Sequence, residues 1–141
     1  MATRSQYLEH LAQVPLFASL SKRDLQKLAR ASDEMTLEKD RVLVEQDATG
    51  HEAFVILEGE AIVKRGGRKL ATLGPGDHFG ELALLDGGPR TATVTAKTPV
   101  LTMAIGRRPF LKLVKSDSDL ALGLLKVMAE RLREADDARD S

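Results

Sequence analysis

A carboxylate at Glu81 and a guanidinium at Arg90 flank a Gly-Gly-Pro break in "FGELALLDGGPRTATV", residues 79–94. The stretch begins like a short helical turn, breaks at Gly87, Gly88 and Pro89, and then alternates like a strand. The first amides of a helix lack internal acceptors and carry partial positive charge. Gly80 at that point lets a ligand approach the backbone, and Ala83 leaves room, so the turn forms an anion seat. The fixed φ of Pro89 places Arg90 at the start of the next strand. Its fork of donors suits a phosphate. Glu81 would repel the same anion and is better suited to accept from the hydroxyls of a sugar. If Arg90 and Ala92 share one strand face, Thr91 points to the other, unless an irregular strand start turns it toward the ligand. This chemistry describes a phosphate beside a sugar, a nucleotide site. The same residues also fit a structural Glu81–Arg90 ion pair that ties a turn to a strand. Taken alone, they leave both readings open.

Other chemistry finds less support. His10, His51 and His78 have no ligand-like spacing, and cysteine is absent, so no metal site is expected. Ser19, Ser21 and Ser32 lie at helix starts, not on nucleophile elbows, and no metal or nucleophile stands beside Glu81 to attack a phosphate. No catalytic residue is expected. Lys64, Arg65 and "GGRK" read as solvated charges around a hairpin. Lys+Arg and Asp+Glu both number 21, a formal net charge of zero, which argues against a generally cationic nucleic-acid binder. No apolar run is long enough for a bilayer and no signal peptide is evident, so the expectation is a cytoplasmic protein without a membrane partner.

The elements that must position these residues are short. Leu8, Leu11 and Val14 predict a helix ending near Pro15. Ser21 and Asp24 form a capping box that opens a second helix. From Met35 onward, segments rich in Val, Ile, Leu and Thr are punctuated by Gly, Asp and Pro, as in an antiparallel roll. Helical character returns after Arg107. "SDSDLALGLLKVMAERLREADDA" reads as the longest helix, with an N-cap signal at Ser116 and Asp119. Its expected apolar face is Leu120, Ala121, Leu124, Leu125, Met128 and Leu132. The fold class is mainly β with flanking helices, an antiparallel, jelly-roll-like β-roll, and residues 1–141 are expected to be a single domain.

The stretch 79–94 resembles the phosphate-binding cassette of the cyclic nucleotide-binding domain family, which is shared by kinase regulatory subunits, gated channels and bacterial catabolite-activator-type regulators. Phe79, Gly80, Glu81, Leu82, Ala83, Leu84, Leu85, Arg90, Thr91 and Ala92 meet the family pattern, and "ILEGEAIV" and "LGPGDHFGE" resemble its hairpin and approach. The resemblance implies a cyclic nucleotide ligand, with cyclic AMP favoured and cyclic GMP left open, held by Gly80, Glu81, Leu82, Ala83, Arg90, Thr91 and Ala92. By it, Arg90 pairs with the cyclic phosphate and Glu81 holds the ribose 2′-hydroxyl. Amides near Gly80, Leu82 and Ala92 complete the seat. It also implies a short phosphate-binding helix and a C-terminal lid helix, with Met128, Leu132 and Arg131 or Arg133 as lid candidates. The alternative for these is an apolar face packed on the roll with solvated arginines. The expected role is a regulatory receptor acting on an unidentified protein effector, with a homodimer through the terminal helix as a further option; the alternatives are a structural or protein-interaction domain that keeps the fold without ligand control, or the sensor fragment of a longer regulator. No segment for a DNA-binding domain follows that helix, so no DNA partner is expected.

Overall fold

The computed structural model describes residues 4–81 and 83–140. Helix α1 spans Arg4–Leu11, a 3-10 turn spans Pro15–Phe17, and α2 spans Lys22–Arg30. Ser21 caps α2 as its sequence predicts, its Oγ accepting from the Asp24 amide at 3.1 Å. Val14 falls outside α1, in the turn before Pro15, yet its side chain is buried with those of Leu11 and Leu16.

Eight strands follow: β1 Asp33–Leu37, β2 Val42–Val44, β3 Glu52–Glu58, β4 Ala61–Arg65, β5 Arg68–Leu73, β6 His78–Phe79, β7 Thr93–Ala96 and β8 Val100–Gly106. They form two four-stranded sheets, ordered β1-β8-β3-β6 and β2-β7-β4-β5. Every pairing is antiparallel, so the expected roll is the architecture observed. Strand β3 is central, with both faces covered. Ala53, Val55 and Leu57 join a core shared with the helices, while Phe54 and Ile56 join the core between the sheets. β8 repeats the division, with Ile105 toward the helices and Val100 and Ala104 between the sheets. Between these two, the buried Thr102 hydroxyl donates to the Met35 carbonyl at 3.2 Å.

A short helix, α3 (Ala83–Asp86), interrupts the strands, and α4 (Arg107–Ser116) and α5 (Ser118–Asp140) close the chain. The expected cap at Ser116 is corrected here. Ser116 ends α4, its hydroxyl donating to the Leu113 carbonyl at 3.2 Å. Asp117, in extended conformation, separates the two helices, and its Oδ1 accepts from the Leu120 amide at 3.1 Å. The apolar face of α5 is also rotated from the one expected. Leu120, Leu124 and Val127 are buried, whereas Leu125 and Leu132 are 65% and 67% exposed. Among the described residues no helix is long and apolar enough to cross a membrane.

Lys27 of α2 bridges to Asp24 on its own helix and to Asp117 at the α4–α5 junction. The hydrogen bond from Lys27, aided by that from the Leu120 amide, holds the Asp117 pKa below its ordinary 3.8. A carboxylate with a lowered folded pKa adds stability above its unfolded value, and that stability is lost as pH falls through the folded value. Asp117→Asn is therefore expected to lower the urea midpoint at neutral pH. The gap from wild type should close as the pH drops below the unfolded value of 3.8.

Candidate functional site

Arg90 is oriented first through its backbone. Its amide donates to the Ala48 carbonyl and its carbonyl accepts from the Asp47 amide, both at 2.8 Å. Gly50 N donates to the Gly88 carbonyl at 3.1 Å, and Thr49 pairs with Pro89. The segment leading into β3 thus holds residues 88–90 like a short strand before β7 begins. The Arg90 side chain then turns inward and is 9% exposed. Its Nη2 donates to the Glu52 carbonyl at 2.7 Å. Its Nη1 is buried and, among the described residues, has no hydrogen-bond partner.

Two glycines make this slot. A Cβ on Gly80 would lie 2.4 Å from Arg90 Nη1 and 2.8 Å from the Glu52 carbonyl oxygen, and Gly80 has φ +84°. A Cβ on Gly50 would meet Ala83 Cβ at 2.7 Å and Arg90 Nε at 3.2 Å. Burial lowers the Arg90 pKa, and the nearby Glu52 charge opposes that shift. The group keeps its proton at neutral pH, because a guanidinium does not titrate there. The slot therefore contains a desolvated cation that no ion pair within the described residues neutralises. A structural Glu81–Arg90 pair, the competing reading, is not formed.

The cation borders a cavity of about 530 Å³, within the size range of small-molecule sites. Gly80, Glu81, Ala83, Arg90, Thr91 and Ala92 all line it. Leu82, expected beside them, lies outside the described residues. Val44, Val63, Phe79 and Val94 supply apolar wall, and Phe79 is fixed by stacking on Phe54 at a centroid distance of 5.0 Å. Thr91 reaches the cavity because residues 90–92 precede the regular strand, so alternation does not apply to them. The half-buried Glu81 shares the space with Arg90 without pairing to it. One cavity can thus offer a cation for an anion, a carboxylate for hydroxyl donors and an apolar wall for a ring.

None of Met128, Arg131, Leu132 and Arg133 lines this cavity. Met128 packs against the helical core instead, and Leu132 faces solvent. His78 pairs with Val55 in the sheet and is likewise outside the cavity lining. Sequence reading missed Gly50 and Glu52. Gly50 had a signal, a glycine two residues before a strongly apolar strand, but the Glu52 contribution is a backbone oxygen and has none. It also missed the hairpin ties, in which Arg65 Nε donates to the Thr91 carbonyl at 2.9 Å and Gly66 N donates to Gln46 Oε1 at 2.8 Å.

The family model described as "Cyclic nucleotide-binding domain" matches residues 34–117. The chain belongs to the cyclic nucleotide-binding domain family. It is 36% identical over 113 residues to a cAMP-dependent protein kinase regulatory subunit of Yarrowia lipolytica, covering 79% of this chain and 30% of that protein. The chain thus spans less than a third of that curated relative. The N-terminal domain of a Streptomyces coelicolor transcriptional regulator superposes with TM-score 0.83 at 36% identity, covering 92% of this chain and 96% of that one. The regulatory domain of Toxoplasma gondii PKA, in co-crystal with cAMP, superposes with TM-score 0.72 at 34% identity, covering 80% and 45%.

The slot makes opposite demands on its two central residues. Gly80→Ala is expected to lose about 1–2 kcal/mol in urea unfolding, since the new Cβ meets a backbone oxygen at positive φ. Arg90→Met, which removes a buried cation without orphaning a carboxylate, is expected to change stability by less than about 1.5 kcal/mol. A loss of the size seen on breaking a buried ion pair, roughly 3–5 kcal/mol, would contradict the absence of a partner.

Proposed function

We propose that this chain is a regulatory receptor module for a cyclic nucleotide monophosphate, with cyclic AMP preferred to cyclic GMP. The observation that carries the reading is the buried Arg90 guanidinium, which has a backbone acceptor and, among the described residues, an unpartnered Nη1 and no ion-pair partner. A phosphate supplies the charge and acceptors it lacks. Glu81 takes the ribose 2′-hydroxyl, amides near Gly80, Leu82 and Ala92 complete the seat, and Ala83 and Thr91 shape it. The preference for cyclic AMP draws on the relatives named for that ligand. The module binds rather than turns over its ligand, acts as one domain over residues 1–141 in the cytoplasm, and has neither DNA nor membrane as partner.

Signal leaves the cavity through α3. Arg107, the first residue of α4, donates from Nη2 to the Leu85 carbonyl of α3 at 3.1 Å, so a shift of α3 moves α4. α5 follows, and its changed pose is what a protein effector reads. In the structure α5 is docked away from the cavity by Leu120, Leu124 and Val127, with Ser19 Oγ donating to Glu130 at 3.0 Å. The lid position of α5 is the alternative pose that a bound ligand favours.

A homodimer through α5 has its own support. Leu122, Leu125 and Leu132 are 52%, 65% and 67% exposed. Together with Ala129 they repeat at alternating intervals of three and four, the spacing of a coiled-coil seam. Light scattering is expected to give a dimer mass for wild type and a monomer for Leu125→Glu/Leu132→Glu. A wild-type monomer both with and without ligand would exclude the seam.

Calorimetric titration of nucleotide-free protein with cyclic AMP and cyclic GMP tests the central reading. Saturable binding of both is expected, tighter for cyclic AMP. Arg90→Ala should weaken binding by about 2–5 kcal/mol, as for a desolvated charge pair that loses one partner. Absence of heat with either ligand at high micromolar concentration, or a variant that binds like wild type, would refute the assignment.

A further inference from the structure

A groove of about 690 Å³ runs along α4 and shares no lining residue with the cavity beside Arg90. Arg107, Arg108, Lys112, Lys115 and Ser116 line it from α4, and His51 lines it from the residue before β3. Its floor is Leu111, and no acidic residue contributes. Among the described residues none of its four cations forms an ion pair. The chain as a whole has zero formal charge, so this concentration of one sign is local.

The start of α4 runs against the usual helix preference. Gly106 caps it without a side-chain hydrogen bond, and its first turn contains no acid. Arg107 and Arg108 instead stand at the end where the helix dipole is already positive, although the Arg107 amide donates to the His51 carbonyl at 2.6 Å and Pro109 has no N–H. Such an arrangement weakens the isolated helix and strengthens its attraction for an anion. Arg107 is held in place by its bond to the Leu85 carbonyl, while its buried Nε has no partner among the described residues. Arg108, Lys112 and Lys115 are exposed and succeed one another turn by turn, over roughly 10 Å of helix axis.

We propose that this groove binds a small anion bearing two or more phosphate groups. One phosphate takes the arginine end, where guanidinium forks meet the positive end of the helix dipole. A further phosphate lies toward Lys112 and Lys115, point charges that make little directional demand. A lone phosphate fills only one end of such a row. A nucleic acid would need an extended basic surface, which this short cationic groove on a chain of zero formal charge does not provide.

Titration with inorganic tripolyphosphate, followed by calorimetry and thermal melting at low salt, tests the site on the intact chain. Saturable one-to-one binding and a raised melting temperature are expected, both diminishing as salt is added. Orthophosphate should bind at least about tenfold more weakly. Arg108→Ala/Lys112→Ala should weaken tripolyphosphate at least about tenfold. That variant should retain the wild-type response to cyclic AMP, whatever that response is. Arg107 is left intact because it also supports α3. Arg90→Ala should bind tripolyphosphate as wild type does; loss there would show entry into the other cavity and overturn the proposal. No saturation at millimolar concentration, indifference to the double substitution, or tighter binding of a DNA duplex or a poly-glutamate peptide would overturn it too.

Discussion

The site depends on one hydrogen bond, from a buried guanidinium to a backbone carbonyl where a central strand begins. Arg90 donates to the Glu52 oxygen at the start of β3, the strand whose two faces are covered by separate cores. A carbonyl anchored in that way cannot follow a side chain, so the side chain must come to it. Gly50 and Gly80 permit the approach, and the pairing of residues 47–50 with 88–90 aims it. Desolvating a cation for one neutral acceptor is unfavourable in isolation, and the packed surroundings over-determine it. That desolvation cost sits where chemistry is expected, and the cores of β3 offset it.

The same constraint explains what could be read in advance. Residues 79–94 were legible because each contribution there is a side-chain type or a glycine in a fixed order: a close approach at Gly80, acceptors at Glu81 and a fork at Arg90. The turn glycines and alternating segments likewise marked the major strands, and Ser21 marked the start of α2. Local rules reach that far. They did not reach Glu52, whose contribution is a carbonyl common to all residues. Nor did they delimit β1 or the two-residue β6, whose strand character comes from pairing with β8 and β3.

Helix α5 shows the limit most clearly. Its sequence has two apolar stripes, Leu120–Leu124–Val127 and Leu122–Leu125–Leu132, and periodicity alone cannot say which one docks. The packed surface of Leu20 decides. A Cβ on Gly123 would lie 2.8 Å from Leu20 Cδ2, so the helix approaches closely on the side where it has no side chain. Gly123 therefore sets the rotation of α5, and with it the exposure of Leu125 and Leu132.

That rotation divides the helix energetically. Its buried apolar residues lie between Leu120 and Val127, while Leu132 and the described side chains beyond it are exposed. The outer half is thus held mainly by its own backbone hydrogen bonds, which are marginal for a short helical length in water. The polar ties of α5, Asp117 with Lys27 and Glu130 with Ser19, are partly or wholly solvated and contribute little. On the proposed function, a change in α3 that reaches α4 through Arg107 meets little resistance in that outer half. A helix anchored by one stripe and presenting another can exchange neighbours without losing its core contacts. The proposed receptor function requires this property of α5.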